Sequence, residues 1–199
     1  MDKEAIYNKL ILIAQKIAEK KQGALFIIGP KQRLKGAFES LYPQIINPHP
    51  IDEQGINAVV EKLAELDGAC VFTDNGDFLA FGARVKKSIP LIGYGTKHAA
   101  ATGITTLIPE ATAILVSEES GWIKIFKEGK IVVEMDAQKT SPPLMDKVVS
   151  FVTDNDTALL TAAGASAALV GFLPVVVVSG TYLALKTASG MIKKSFEKN

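Results

Sequence analysis

The chain has one cysteine in 199 residues, Cys70, which excludes an internal disulfide framework. That thiol lies in an apolar run and reads as a buried, inert side chain. Two histidines and one cysteine are too few for a structural zinc site of the usual kind. An excess of one charge is also missing, with 22 basic residues against 21 acidic ones. No basic stripe interleaved with aromatics is visible either, so nucleic-acid binding is not expected. No secretory hydrophobic run follows Met1-Asp2-Lys3-Glu4. The chain opens into a charged helix, and a cytoplasmic start is the expectation. Internal repeats are absent.

What is present is a soluble-type pattern followed by an apolar tail. Ile6, Leu10, Ile13 and Ile17 recur at helical spacing and predict an amphipathic first helix. Residues 23–29 form an apolar run bounded by glycines, which predicts a buried strand. Pro30, Pro43, Pro48 and Pro50 make residues 30–51 mostly loop, with one helical turn near 34–41. Asp52 then reads as the cap of a helix whose one face carries Ile56, Val59, Val60, Leu63 and Leu66. A hairpin follows: a strand over Ala69–Thr73, a turn at Asp74-Asn75-Gly76-Asp77, and a strand over 78–85. A helix is expected over 96–106 and strands over 113–117, Trp122–Lys127 and 130–135, with a last helix over 144–151. This order implies an α/β fold, one mixed β-sheet with helices packed against it.

Three short segments carry the candidate chemistry. Asp67-Gly68-Ala69 lies where a helix gives way to a strand; small residues after an acid admit a ligand close to the backbone, and the carboxylate suits a divalent metal. A plain turn is the competing reading. Gly95-Thr96-Lys97-His98 opens a helix, where free amides and the positive end of the helix dipole suit a phosphate. Lys97 adds charge there and His98 offers a nitrogen to a metal or phosphate oxygen, against the alternative of a capping lysine and a satisfied histidine. Ser117-Glu118-Glu119-Ser120-Gly121 ends a strand with paired carboxylates, which suits a metal ligand or merely a solvated turn.

Together with residues 23–28, these segments resemble the signature motifs of the diadenylate cyclase domain, in that family's order and at similar spacing, over roughly residues 20–136. The resemblance implies a nucleotide-binding domain over 1–150 that condenses two ATP molecules into cyclic di-AMP and releases two pyrophosphates. It implies a face-to-face homodimer in which each chain presents one ATP, with Mg²⁺ or Mn²⁺ as cofactor. Carried over by position, Asp67, Lys97 and His98 are the catalytic candidates. Asp67, His98 and Glu119 are the metal candidates. Gly68, Ala69, Gly95, Thr96, Lys97 and Ser117 are the nucleotide-binding ones. The family's Arg-His-Arg is here Lys97-His98-Ala99, so one charge is lost and one is changed from a planar fork to a point charge. Arg84, Lys86 and Lys87 are candidates to compensate. Two functions follow: a working, slow cyclase, or a nucleotide sensor that kept the pocket and lost turnover.

Residues 157–185 carry no charge over 29 positions, beyond the ~18–20 that mark a membrane-span candidate. An apolar helical tail over 157–192, associated with the membrane, is expected. Lys186, Lys193, Lys194 and Lys198 follow the apolar segment, which places the C-terminus on the cytoplasmic side together with the ATP-handling domain. A hairpin breaking near 172–174 satisfies both. A single span, or a helical pair packed inside a soluble oligomer, is the alternative.

Overall fold

The computed structural model describes residues 1–44, 48–140, 142–153 and 175–177. Helix α1 (Lys3–Glu19) starts where Asp2 accepts a hydrogen bond from the Ala5 amide at 2.7 Å. Its predicted stripe is buried, widened by Tyr7, Ile11, Ala14 and Ala18. Strand β1 (Ala24–Gly29) is buried throughout, as the glycine-bounded apolar run requires. Helices α3 (Ile56–Leu63), α4 (Thr96–Leu107) and α5 (Pro142–Thr153) alternate with β4 (Ala69–Thr73), β5 (Asp77–Val85), β6 (Thr112–Val116), β7 (Trp122–Lys127) and β8 (Lys130–Asp136).

Residues 30–51 depart from expectation. They hold a short α2 (Lys31–Leu34) and two edge strands, β2 (Phe38–Ser40) and β3 (His49–Pro50), both antiparallel to β5. The helical turn therefore comes earlier than 34–41, and part of that span is strand. Prolines are tolerated at a sheet edge because one side of the strand needs no ladder donor. Asp52 does not cap α3; Gly55 does, at φ 86°, a left-handed geometry that glycine adopts without penalty. Of the predicted α3 face, Ile56 and Val60 are buried and Leu63 half-buried, while Val59 and Leu66 face out.

The strands form one mixed sheet in the order β2-β5-β4-β1-β6-β7-β8-β9, with β3 beside β5. Here β9 (Val175–Val177) is antiparallel to β8. Those three residues of the apolar tail, expected to be helical over 157–192, are strand instead; the rest of that tail lies outside the described residues. Among the described residues no helix is long and apolar enough to cross a membrane. Strand β1 is parallel to β4 on one side and antiparallel to β6 on the other.

Alternation along the strands splits the core into two layers. Phe26, Phe72, Phe78, Ile114 and Ile125 pack with α1, α3 and α5 on one face. Leu25, Ile27, Val71, Ala113 and Phe126 pack with Ala101 and Ile104 of α4 on the other. The Tyr7 hydroxyl donates to Thr112 Oγ1 at 2.7 Å, tying α1 to the start of β6. Cys70 is buried in the first layer, and burial pushes its thiol up to about 12, as expected for an inert side chain.

Candidate active site

The sheet register gathers the three segments at one edge. Ala24 pairs with Val116, and Phe26 with Cys70 in the parallel ladder, so Gly68 stands level with Ala24. Asp67 and Ser117 therefore flank the start of β1, with one strand spacing on each side, roughly 10 Å in all. A Cβ on Gly23 would touch Glu118 at 3.3 Å, which confirms that the Glu118-Glu119 turn closes over the same edge. Strand β5 ends at this edge, since Ala83 pairs with Ala69, whereas β6 begins at the opposite one. Residues 86–95 and helix α4 connect them. The ring of Tyr94, just ahead of α4, lies 4.5 Å from the Lys124 ammonium. Lys124 pairs with Leu115, two residues before Ser117, so α4 starts on the Asp67 side of the sheet. Its last turns reach the far edge, where the Gly129 amide in the β7–β8 turn donates to Thr105 Oγ1 at 3.1 Å.

Asp67 is exposed, and its Oδ1 accepts from the Gly68 amide at 2.9 Å, which leaves the rest of the carboxylate facing solvent. Gly68 has φ +96°, and a Cβ there would lie 2.5 Å from the Gly82 carbonyl carbon. Gly82, at φ +57°, is covered in turn by the Tyr42 ring, 2.3 Å from where its own Cβ would be. The two glycines let the Asp67 loop rest directly on β5. Gln44 holds the covering segment down, donating from Nε2 to the Phe81 carbonyl at 3.1 Å and accepting from the Phe81 amide at 3.0 Å. Ala69 is buried in the sheet.

Gly95 caps α4 without a side chain, so the first-turn amides of Thr96 and Lys97 have no capping group. Its φ of −82° makes no demand for glycine, and a Cβ there would meet nothing within 4 Å. Gly95 is exposed, so among the described residues nothing covers the helix start. Thr96 is exposed and Lys97 half-buried. His98 is 9% exposed, and its Nε2 is buried with no hydrogen-bond partner among the described residues. Its ring lies 4.5 Å from that of Tyr94 and 6.0 Å, edge-on, from Phe126. Burial, and then the nearby Lys124 charge, push the imidazole down to about 4, so it is neutral at physiological pH.

The turn after β6 is ordered by its own serines. Ser117 Oγ accepts from the Ser120 amide at 3.4 Å, and Ser120 Oγ from the Trp122 amide at 3.3 Å. Glu119 points into solvent. Among the described residues, no three His, Cys, Asp or Glu side chains gather closely enough to hold a metal ion. Asp67, His98 and Glu119 are thus spread along the edge rather than collected. A divalent cation bound by one or two of them, with phosphate oxygens and waters completing its shell, is the usual arrangement for Mg²⁺ beside a nucleotide. The open carboxylate of Asp67 and the unpartnered Nε2 of His98 suit that role.

Of the residues considered for compensation, Arg84 is paired with Glu39 at 3.2 Å on the exposed β2–β5 edge, and Lys86 and Lys87 are exposed in the loop after it. The sequence reading passed over Lys124 on β7. Its signal was there: a lysine among Trp122, Ile123, Ile125 and Phe126 falls, at period two, on the same face as Phe126.

Residues 13–131 match the family model for the DisA bacterial checkpoint controller nucleotide-binding domain. A diadenylate cyclase of Methanocaldococcus jannaschii is 30% identical over 122 residues, covering 57% of this chain and 38% of that protein. One from Haloferax volcanii is 30% identical over 122 residues, covering 58% of this chain and 45% of that protein. The chain spans less than half the length of either relative. The crystal structure of a hypothetical membrane spanning protein from Bacillus cereus aligns with a TM-score of 0.50 at 21% identity, covering 61% of this chain and 59% of that one; this likeness concerns the fold alone.

Proposed function

The chain belongs to the diadenylate cyclase family, and from that premise we propose that it condenses two ATP molecules into cyclic di-AMP. One observation carries the reading: the sheet register brings Asp67-Gly68 and the Ser117–Gly121 turn to one edge, and Tyr94, just ahead of α4, lies over Lys124 on the same side of the sheet. The phosphates lie against the first-turn amides of Thr96 and Lys97, where the helix dipole and the Lys97 ammonium oppose their charge. Gly68 and Ala69 approach the nucleoside by backbone, and Ser117 closes its far side.

Asp67 orients the ribose 3′-hydroxyl and draws its proton as the oxygen attacks the α-phosphorus of the second ATP. The bond to pyrophosphate breaks in line, and the same step in the other direction closes the ring. One edge of one chain presents one nucleotide, so two chains must meet face to face for both attacks to occur. When bound, Mg²⁺ or Mn²⁺ supplies neutralisation of charge on the phosphate and a lower pKa for the attacking hydroxyl. Asp67, with His98 or Glu119, would hold it, since the three do not gather into one cluster among the described residues. A neutral His98 can offer Nε2 to that ion or to a phosphate oxygen at any pH well above 4.

Ala99 favours a second reading. A lost phosphate contact costs roughly 10²–10³ in rate by analogy with lost oxyanion donors, and a domain so weakened can serve as a nucleotide sensor coupled to a membrane tail at 157–185. Purified protein with ATP and Mn²⁺ or Mg²⁺ separates the two. Cyclic di-AMP formation that Asp67→Asn abolishes supports the cyclase. Tight ATP binding with no product at high protein concentration leaves the sensor.

A further inference from the structure

The charge that the α4 turn lacks at Ala99 has a counterpart beneath it. Lys124 projects from β7 into the α4 side of the sheet, while its neighbours Ile123 and Ile125 pack in the opposite layer. It is 9% exposed. Its Nζ lies 3.2 Å from Glu134 Oε1, its cross-strand partner on β8, and 4.5 Å from the centroid of Tyr94. The other face-mates at this level, Leu115 and Phe126, are apolar. Stability alone does not call for an ion pair here, because a well-packed apolar pair at such a position is commonly as stable.

One feature beside it points to a ligand: His98 Nε2 is buried and has no hydrogen-bond partner among the described residues. Tyr94 links it to Lys124, its ring lying 4.5 Å from the His98 ring and 4.5 Å from the Lys124 ammonium.

We propose that Lys124 is a further phosphate-stabilising residue of this site, a fixed cation under the first turn of α4 that supplies from the sheet the charge absent at Ala99. The proposal rests on the ATP-site reading above. Glu134 fixes the ammonium in place and offsets part of its charge, so what the phosphate meets is the positive end of an oriented ion pair. The Tyr94 ring excludes water from one side of it, which lengthens the reach of its field. A lysine acts here as a point charge, which needs no planar alignment with the phosphate.

The test measures ATP and adenosine binding by calorimetry, and cyclic di-AMP formation, on the full chain with Mn²⁺. The variants are Lys124→Met, which keeps the apolar stem, and Lys124→Met combined with Ala99→Arg. Lys124→Met is expected to weaken ATP binding or turnover roughly 10–100-fold, the range for a contact to a charged group. Adenosine binding should be unchanged, and Ala99→Arg should recover most of the loss. Unchanged ATP affinity together with unchanged turnover overturns the proposal. So does an equal loss for ATP and adenosine, or a loss that Ala99→Arg leaves in place. Should Lys124→Met not fold by circular dichroism, Lys124→Gln carries the same comparison. A wild-type chain that binds no ATP removes the ATP-site reading itself, and this proposal with it; normal wild-type binding with an unaffected variant removes only the role of Lys124.

Discussion

His98 shows how one side chain records its surroundings. Held near 4 against an ordinary 6.5, it stays neutral in the folded chain while the unfolded chain takes up its proton first. The unfolded state therefore binds more protons between about pH 6.5 and 4, so stability from this residue is complete above 6.5 and is lost as pH falls through that window. Urea midpoints measured from pH 7 to pH 4 should fall, and His98→Gln should flatten the part of the decline that lies in this window. Tyr7 gives a simpler case. Its buried hydroxyl donates to Thr112, so Tyr7→Phe should destabilise the fold by about 1–2 kcal/mol in urea unfolding, leaving the Thr112 oxygen without its donor. Asp67 and the Gly95–His98 segment were legible in the sequence because their chemistry is local and contiguous. Lys124 was only partly so: its period-two match with Phe126 puts it on a buried face, but its partners Tyr94 and Glu134 appear only once the helix and β8 are placed. Tyr42 and Gly82 escaped for the same reason: they meet Gly68 only through β5 pairing.

At the level of elements, legibility followed the range of the interactions. The β4–β5 hairpin turns at Asn75-Gly76 with Gly76 at φ 89°, and β7–β8 turns at Glu128-Gly129 with φ 50° and 74°; in both, local turn chemistry decides the structure. Strands β2 and β3 exist only as additions to β5, and nothing in a proline-rich stretch announces that partner. Close backbone contacts carry the strongest element-level expectations. Gly68→Ala imposes both a left-handed backbone and a clash with β5, and should cost about 2–4 kcal/mol. Its product formation should fall further than its stability explains, because the Asp67 carboxylate moves with the loop. Gly103 lies under the segment that leads into α4, with a Cβ placed only 1.9 Å from the Lys87 carbonyl oxygen. Gly103→Ala should lift that segment, read as faster proteolytic cleavage within residues 86–95.

For the whole molecule, the proposed face-to-face encounter has a kinetic signature. Cyclic di-AMP formed per chain should fall on dilution below the dimer dissociation constant, while ATP binding per chain stays level. Rates per chain that hold constant across that dilution would remove the requirement for two chains. The central position of β1 has a different consequence, one for biogenesis. Its parallel partner β4 is synthesised well before its antiparallel partner β6, since Phe26 joins Cys70 but Ala24 joins Val116. A growing chain can build the hairpin and dock β1 on it, yet the other side of a wholly apolar strand stays bare until β6 leaves the ribosome. Bare strand edges of this kind template pairing between copies. Synthesis is therefore an interval of aggregation risk, and a chain stopped at residue 110 should aggregate more than the full chain.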